Sequence, residues 1–194
     1  MVPLLLGLDL GTSSIKAVLF DPATGTIQAT AAQEYPVNKP APNRAEQNPA
    51  DWWQAAVAVT RRVVANTSRP HVTAVSFSGQ MHGTVLLNAQ ANPLHPAIIW
   101  ADQRSAKAVQ TLIQTVGAAD YAAITGTLPA VGFLGATLLW LADQQPDLLA
   151  QVKNVVFPKD YLRLKMTGAI ATDMSDAAGS GIFNIHRQIW ARQI

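Results

Sequence analysis

Leu4-Leu5-Leu6-Gly7-Leu8-Asp9-Leu10-Gly11-Thr12-Ser13-Ser14-Ile15-Lys16-Ala17-Val18-Leu19-Phe20-Asp21 is the stretch whose reading decides the fold. An apolar run closes on one acid, four small residues follow, and a second apolar run begins. The pattern predicts two short strands joined by a tight turn, with Asp9 near the end of the first and buried by its apolar neighbours. A carboxylate at the lip of a sheet, beside free backbone N–H groups and hydroxyls, suits a metal-bound polyphosphate. Gly11 brings no side chain that would block a phosphate, and the hydroxyls of Thr12 and Ser13 can donate to its oxygens. The plainer alternative is an ordinary hairpin in which Gly-Thr-Ser-Ser is turn chemistry only.

Two common nucleotide signatures are missing. No Gly-x-x-x-x-Gly-Lys-Ser/Thr occurs, and no Gly-x-Gly-x-x-Gly follows a strand. A phosphate site must therefore rest on the hairpin itself.

Composition narrows the rest. The 194 residues fit one large domain or one lobe of a larger assembly. At 49% hydrophobic and 13% charged, the chain can build a real core and is far from a disordered composition. The net charge is +2, and apart from Arg61-Arg62 the cations are scattered, so there is no nucleic-acid footprint. With no cysteine, disulfides and thiolate metal sites are excluded. His71, His82, His95 and His186 lack metal-ligand spacing. The leading apolar run is too short for a signal peptide, and no segment is long and apolar enough to span a membrane. The expected location is cytoplasmic, with no membrane partner and a homodimer left open.

Downstream of the hairpin, Thr26 to Tyr35 reads as a third strand, giving an antiparallel meander. The proline-rich stretch from Val37 to Pro49 reads as a surface excursion. Asp51 to Ala65 is the clearest helix, with Trp52, Ala56, Val59 and Val63 at helical spacing and Asp51 the expected cap. Val72 to Phe77 looks like a buried parallel strand. A helix followed by such a strand is the crossover of an α/β domain.

Ser78-Gly79-Gln80-Met81-His82-Gly83 follows directly, where ligands of α/β sheets gather. Two glycines let the backbone bend around Met81 and His82. The plainer reading is a turn with a core methionine and a surface histidine. Ala97 to Trp100 reads as a strand, with Trp100 either stacking on a sugar or filling the core. A helix is expected from Asp102 to about Val116, and a loop from Gly126 to Gly135. Helices are expected over 136–143, 146–152 and 159–168, with a strand at 155–157. Asp173 to Gly181 reads as a small-residue, acid-bearing loop. An amphipathic segment begins near Trp190.

Taken together these segments resemble the carbohydrate kinases of the glycerol/xylulose/gluconate kinase family, on the actin-like ATPase (ribonuclease-H-like) fold. Leu8 to Lys16 looks like that family's first phosphate motif. A narrower resemblance, to its xylulokinase branch, lies in Glu46 to Pro49, Gly79 to Gly83, Pro96 to Arg104, Pro158 to Leu164 and Thr172 to Gly179. It covers the whole chain in register. The family usually carries a lysine where Thr137 stands, and its gluconate kinases tend towards a motif close to Trp100–Ser105.

The resemblance implies an α/β N-terminal lobe over residues 1–194, with mixed sheet and flanking helices, cut before its own end. The catalytic base and the C-terminal lobe would lie beyond Ile194, leaving the fragment itself inactive. It implies ATP and Mg²⁺ as cofactors, Asp9 holding the metal through water, and Gly11, Thr12 and Ser13 on the phosphates. Met81, His82 and Trp100 would line the site of D-xylulose, His82 bonding a hydroxyl or the ketone. Alternative substrates are gluconate, ribulose or another small polyol. A non-catalytic actin-like assembly module is the rival of a different class, recognisable by nucleotide-dependent polymerisation.

Overall fold

The computed structural model describes residues 3–65, 67 and 71–194. Its central sheet begins with β1 (Pro3–Leu10), β2 (Ser14–Asp21) and β3 (Thr26–Glu34), an antiparallel meander as expected. Alternation along the strands explains the packing. Leu4, Leu6, Leu8 and Leu10 point to one face with Ile15, Ala17 and Leu19, and all are at most 5% exposed. Asp9 belongs to the other set. It is exposed, so the acid read as buried by its apolar neighbours lies on the open face of the sheet.

After the short β4 (Glu46–Gln47) comes α1 (Pro49–Ala65). Asn48, rather than Asp51, caps it: its side chain accepts from the Ala50 N–H at 3.0 Å, while Asp51 sits in the first turn. The predicted apolar stripe is real. Trp52, Ala55, Ala56, Val59 and Val63 are buried, and the helix packs on β2 and β3.

β5 (His71–Gly79) pairs in parallel with β1, which completes the crossover and gives the order β3-β2-β1-β5. It is not the buried strand that its composition suggests. Val75 is 39% exposed, because among the described residues β5 is an edge of the sheet. Opposite residues Asp9↔Ser78 and Leu10↔Gly79 bring the carboxyl ends of β1 and β5 together.

The chain continues through β6 (Val85–Leu87), β7 (Ala97–Ile98), α2 (Ala106–Val116), α3 (Ala118–Thr125), α4 (Leu134–Gln144), α5 (Pro146–Gln151) and β8 (Asn154–Val156), and Val85, Leu87, Ala97 and Val156 join the core under the sheet. β4 pairs with β7, and β6 with β8. Then α6 (Pro158–Thr167) packs against α1 and β5, ending at Gly168 with φ 73°, the expected left-handed cap. The small-residue loop expected near Asp173 contains a helix, α7 (Met174–Gly179), with Asp173 as its cap. The segment near Trp190 is no helix but half of a hairpin, β9 (Phe183–Asn184) with β10 (Ile189–Trp190). No helix among the described residues is long and apolar enough to cross a membrane.

Candidate sugar and phosphate site

The turn after β1 is held from several sides. Gly11 N–H donates to Ser14 O at 3.0 Å, and the Tyr35 hydroxyl donates to Gly11 O. Burial and the nearby Asp9 carboxylate push the Tyr35 phenol far above its usual range, so it remains a donor. Gln47, 1% exposed, gives its amide N–H to Thr12 O at 2.7 Å and to Pro36 O at 3.3 Å. Those two carbonyls can only accept, which fixes the amide with its oxygen towards Gln80. Gln80 donates to that oxygen at 2.7 Å, and its own backbone N–H bonds Leu10 O at 2.7 Å. A buried amide pair thus ties the turn to the corner 80–83.

Within the corner, Met81 and His82 divide the roles opposite to the plainer expectation. Met81 is 58% exposed, while the His82 ring is half-buried and stacked on Phe133 with centroids 4.1 Å apart. His82 also has φ 63°, a left-handed conformation uncommon for a residue with a Cβ. Its Nδ1 lies 2.7 Å from Gly179 O at the end of α7. Burial holds the ring's pKa below its ordinary value, against the opposing pulls of that hydrogen bond and of Asp176.

Trp100 sits in a turn, not at the end of a strand, since β7 stops at Ile98. A buried ion cluster makes the turn. Asp102 takes the Arg104 Nε–H at 2.8 Å and the Ala45 N–H at 2.7 Å, while Arg104 also reaches Glu46. Asp102 is therefore a partner of Arg104 rather than a helix cap; α2 starts later, at Ala106. Gly132 touches the back of the turn: at φ 84°, a Cβ there would lie 2.3 Å from Trp100 O. The indole N–H then donates to Thr12 Oγ1 at 2.9 Å.

Thus Asp9 of β1 and Gly11, Thr12 and Ser13 of the turn share one edge of the sheet with Met81, His82 and Trp100. It is an open wall: Trp100 is 47% exposed and Met81 58%. No group of three or more acidic, histidine or cysteine side chains suited to a metal exists among the described residues. One exposed carboxylate beside hydroxyls still fits Mg²⁺ carried by phosphates, because that ion keeps most of its water.

The family model described as "FGGY family of carbohydrate kinases, N-terminal domain" matches residues 4–194. The chain belongs to the FGGY carbohydrate kinases. A xylulose kinase of Klebsiella pneumoniae is 40% identical over 189 residues, covering 97% of this chain and 38% of the relative. The chain therefore spans about two fifths of the length of the curated relatives it matches. Among solved structures, a xylulose kinase from Rhodospirillum rubrum superposes with a TM-score of 0.94 at 26% identity, over 98% of this chain and 39% of that one. A gluconate kinase from Lactobacillus acidophilus gives 0.93 at 27% identity, over 100% and 39%. The expected actin-like kinase fold and its mixed α/β lobe hold for this FGGY domain.

Sequence reasoning placed the main residues but gave no roles to Gln47, Phe133, Lys159 or Gly179. Gln47, Lys159 and Gly179 stand inside the motifs that carried the resemblance, which is the one signal that pointed near them; Phe133 stands in none. Thr137, where the family usually has lysine, is buried in α4 at 1% exposure.

Proposed function

We propose that this domain forms one wall of an ATP-dependent sugar kinase that transfers the γ-phosphoryl group to D-xylulose, giving D-xylulose 5-phosphate. The observation that carries the reading is the hydrogen bond from Trp100 to Thr12, which supports one site in which the indole faces the sugar and the hydroxyl faces the phosphates.

Phosphoryl transfer needs positioning and charge neutralisation more than covalent chemistry. Mg²⁺, when bound, offsets phosphate charge; Asp9 would hold it through water. Because Trp100 donates to Thr12 Oγ1, the Thr12 hydroxyl proton remains free to point at a phosphate oxygen. Gly11 leaves room for the approach, and Ser13 adds an exposed hydroxyl. On the sugar side, Met81 gives an adaptable apolar surface, Trp100 a flat one, and His82 a polar contact.

The charged group that acts on the proton affinity of the His82 ring is Asp176, itself paired with Lys159 at 2.8 Å. No Arg or Lys stands beside Met81 and His82 in the sequence, which favours a neutral sugar over a sugar acid. The rival substrate is gluconate. Coupled ADP assays of the whole protein over xylulose, ribulose, gluconate and glycerol test the reading. The highest kcat/KM should belong to D-xylulose; a preference for gluconate would overturn the substrate assignment.

A further inference from the structure

Lys159 is the centre of a cluster that the phosphoryl-transfer account leaves unused. Its Nζ lies 2.8 Å from Asp160, 2.7 Å from Asp173 and 2.8 Å from Asp176. The side chain is nearly buried, and the three carboxylates outweigh the opposing effect of burial, so the ammonium stays charged. Asp160 is its neighbour on α6, whereas Asp173 and Asp176 belong to the cap and first turn of α7. Asp173 also accepts the N–H groups of Ser175 and Asp176. Lys159 therefore pins α7 to α6.

At the other end of α7, the carbonyl of Gly179 meets His82 Nδ1 at 2.7 Å. A carbonyl oxygen can only accept, so Nδ1 must carry a proton. The approach leaves no spare room: a Cβ on Gly179 would sit 3.1 Å from His82 Cε1 and 3.2 Å from Nδ1. Stacking on Phe133, with the planes 20° apart, blocks the ring from turning away. Lys159 touches the root of the same corner as well, its Cβ 3.2 Å from where a Cβ on Gly79 would lie.

We infer that Lys159 is a positioning residue which, through α7 and the Gly179 carbonyl, holds His82 as the Nδ1–H tautomer and presents Nε2 as an acceptor to a sugar hydroxyl. A neutral His82 in that tautomer accepts a hydrogen bond from a hydroxyl and cannot donate one to the ketone oxygen. This narrows the two sugar contacts open to His82 to one, and makes the site select a hydroxyl at that position. The identity of the donor rests on the sugar-kinase reading; the tautomer does not.

The test labels the histidines with ¹⁵N and reads, from long-range ¹H–¹⁵N correlations at neutral pH, which ring nitrogen is protonated. The signal is assigned by its loss in His82→Gln. The wild type should show the proton on Nδ1. Lys159→Met and Gly179→Ala should move the equilibrium towards Nε2–H, and Lys159→Arg should restore it. A wild-type Nε2–H, or an unchanged Nδ1–H in folded Lys159→Met, overturns the proposal. If Lys159→Met does not fold, the double variant Asp173→Asn/Asp176→Asn, which keeps the lysine and its α6 partner Asp160 but removes both charged partners on α7, decides the matter; there too an unchanged tautomer overturns it. In the whole enzyme, folded Lys159→Met should raise the sugar KM about fivefold, the worth of one ordinary hydrogen bond, and leave the ATP KM unchanged. The expected tautomer with no sugar phosphorylation would instead remove the kinase reading and leave the positioning role intact.

Discussion

The indole N–H of Trp100 donates to the hydroxyl of Thr12 across 2.9 Å, although the two lie 88 residues apart in the chain. Both groups are held by other contacts: Thr12 by the Gln47 amide at its carbonyl, Trp100 by the ion cluster beneath its turn. The bond therefore measures the fit of two separately supported loops.

Breaking that bond should affect both substrates. A net hydrogen bond contributes about 0.5–1.5 kcal/mol, so Trp100→Phe and Thr12→Val should each lower kcat/KM of the whole enzyme by about two- to tenfold. Steady-state kinetics of the two single variants and the double variant form a cycle. The double variant should lose less than the product of the single losses; strict additivity would mean that the two side chains act independently.

The ion cluster under Trp100 is a matter of stability. Asp102, Glu46 and Arg104 are all buried and Arg104 pairs with both acids, so truncating the arginine leaves two buried carboxylates without their cation. Arg104→Ala should destabilise the fold by about 3–5 kcal/mol, measured by urea or thermal unfolding. A loss below the range of a surface pair would show the cluster to be hydrated in solution.

Much of the fold was legible because its signals are local. Alternation along β1 and β2 and the helical stripe of Trp52, Ala56, Val59 and Val63 need no distant partner. The failures all involve one. Ala97 to Trp100 is as apolar as a strand, yet only Ala97 and Ile98 find a partner in β4 before Asp102 turns the chain towards Arg104 and Glu46. The stretch after Asp173 is rich in small residues but becomes α7, because Asp173 caps it and Lys159 neutralises two of its acids. Asp9 was placed in the right position but on the wrong face, since composition says nothing of register. Asp9, Met81 and His82 stood out as candidates from their place at strand ends; the groups that orient them come from other elements and did not.

The acid side of the stability profile should follow Asp173. Burial would raise its carboxyl, but hydrogen bonds from Lys159 and Ser175 outweigh that and hold it well below the usual carboxylate range. A depressed folded pKa means stability that is fully present above the unfolded value, near 3.9, and lost progressively as pH falls from there through the lower folded value. Asp176, raised chiefly by burial, works the other way and loses stability as pH climbs past its unfolded value. Since Asp173 is about half exposed, the effect should be small. Asp173→Asn should flatten the fall in Tm below about pH 4; an unchanged slope would assign that fall to other carboxylates.

Asp9 and His82 should separate by substrate. Asp9→Asn removes one charge from the metal and phosphate region, and should lower kcat of the whole enzyme at least about tenfold. His82→Ala should raise the sugar KM more than the ATP KM. Equal losses for both substrates would indicate a folding defect in that variant.

The most direct measurement is a crystal structure of the whole protein with D-xylulose and a non-hydrolysable Mg²⁺–ATP analogue bound together. The terminal phosphate should lie against Gly11, Thr12 and Ser13, and the sugar against Met81, His82 and Trp100, within one cleft. A sugar bound away from His82, or phosphates that leave the turn after β1 untouched, would contradict the account.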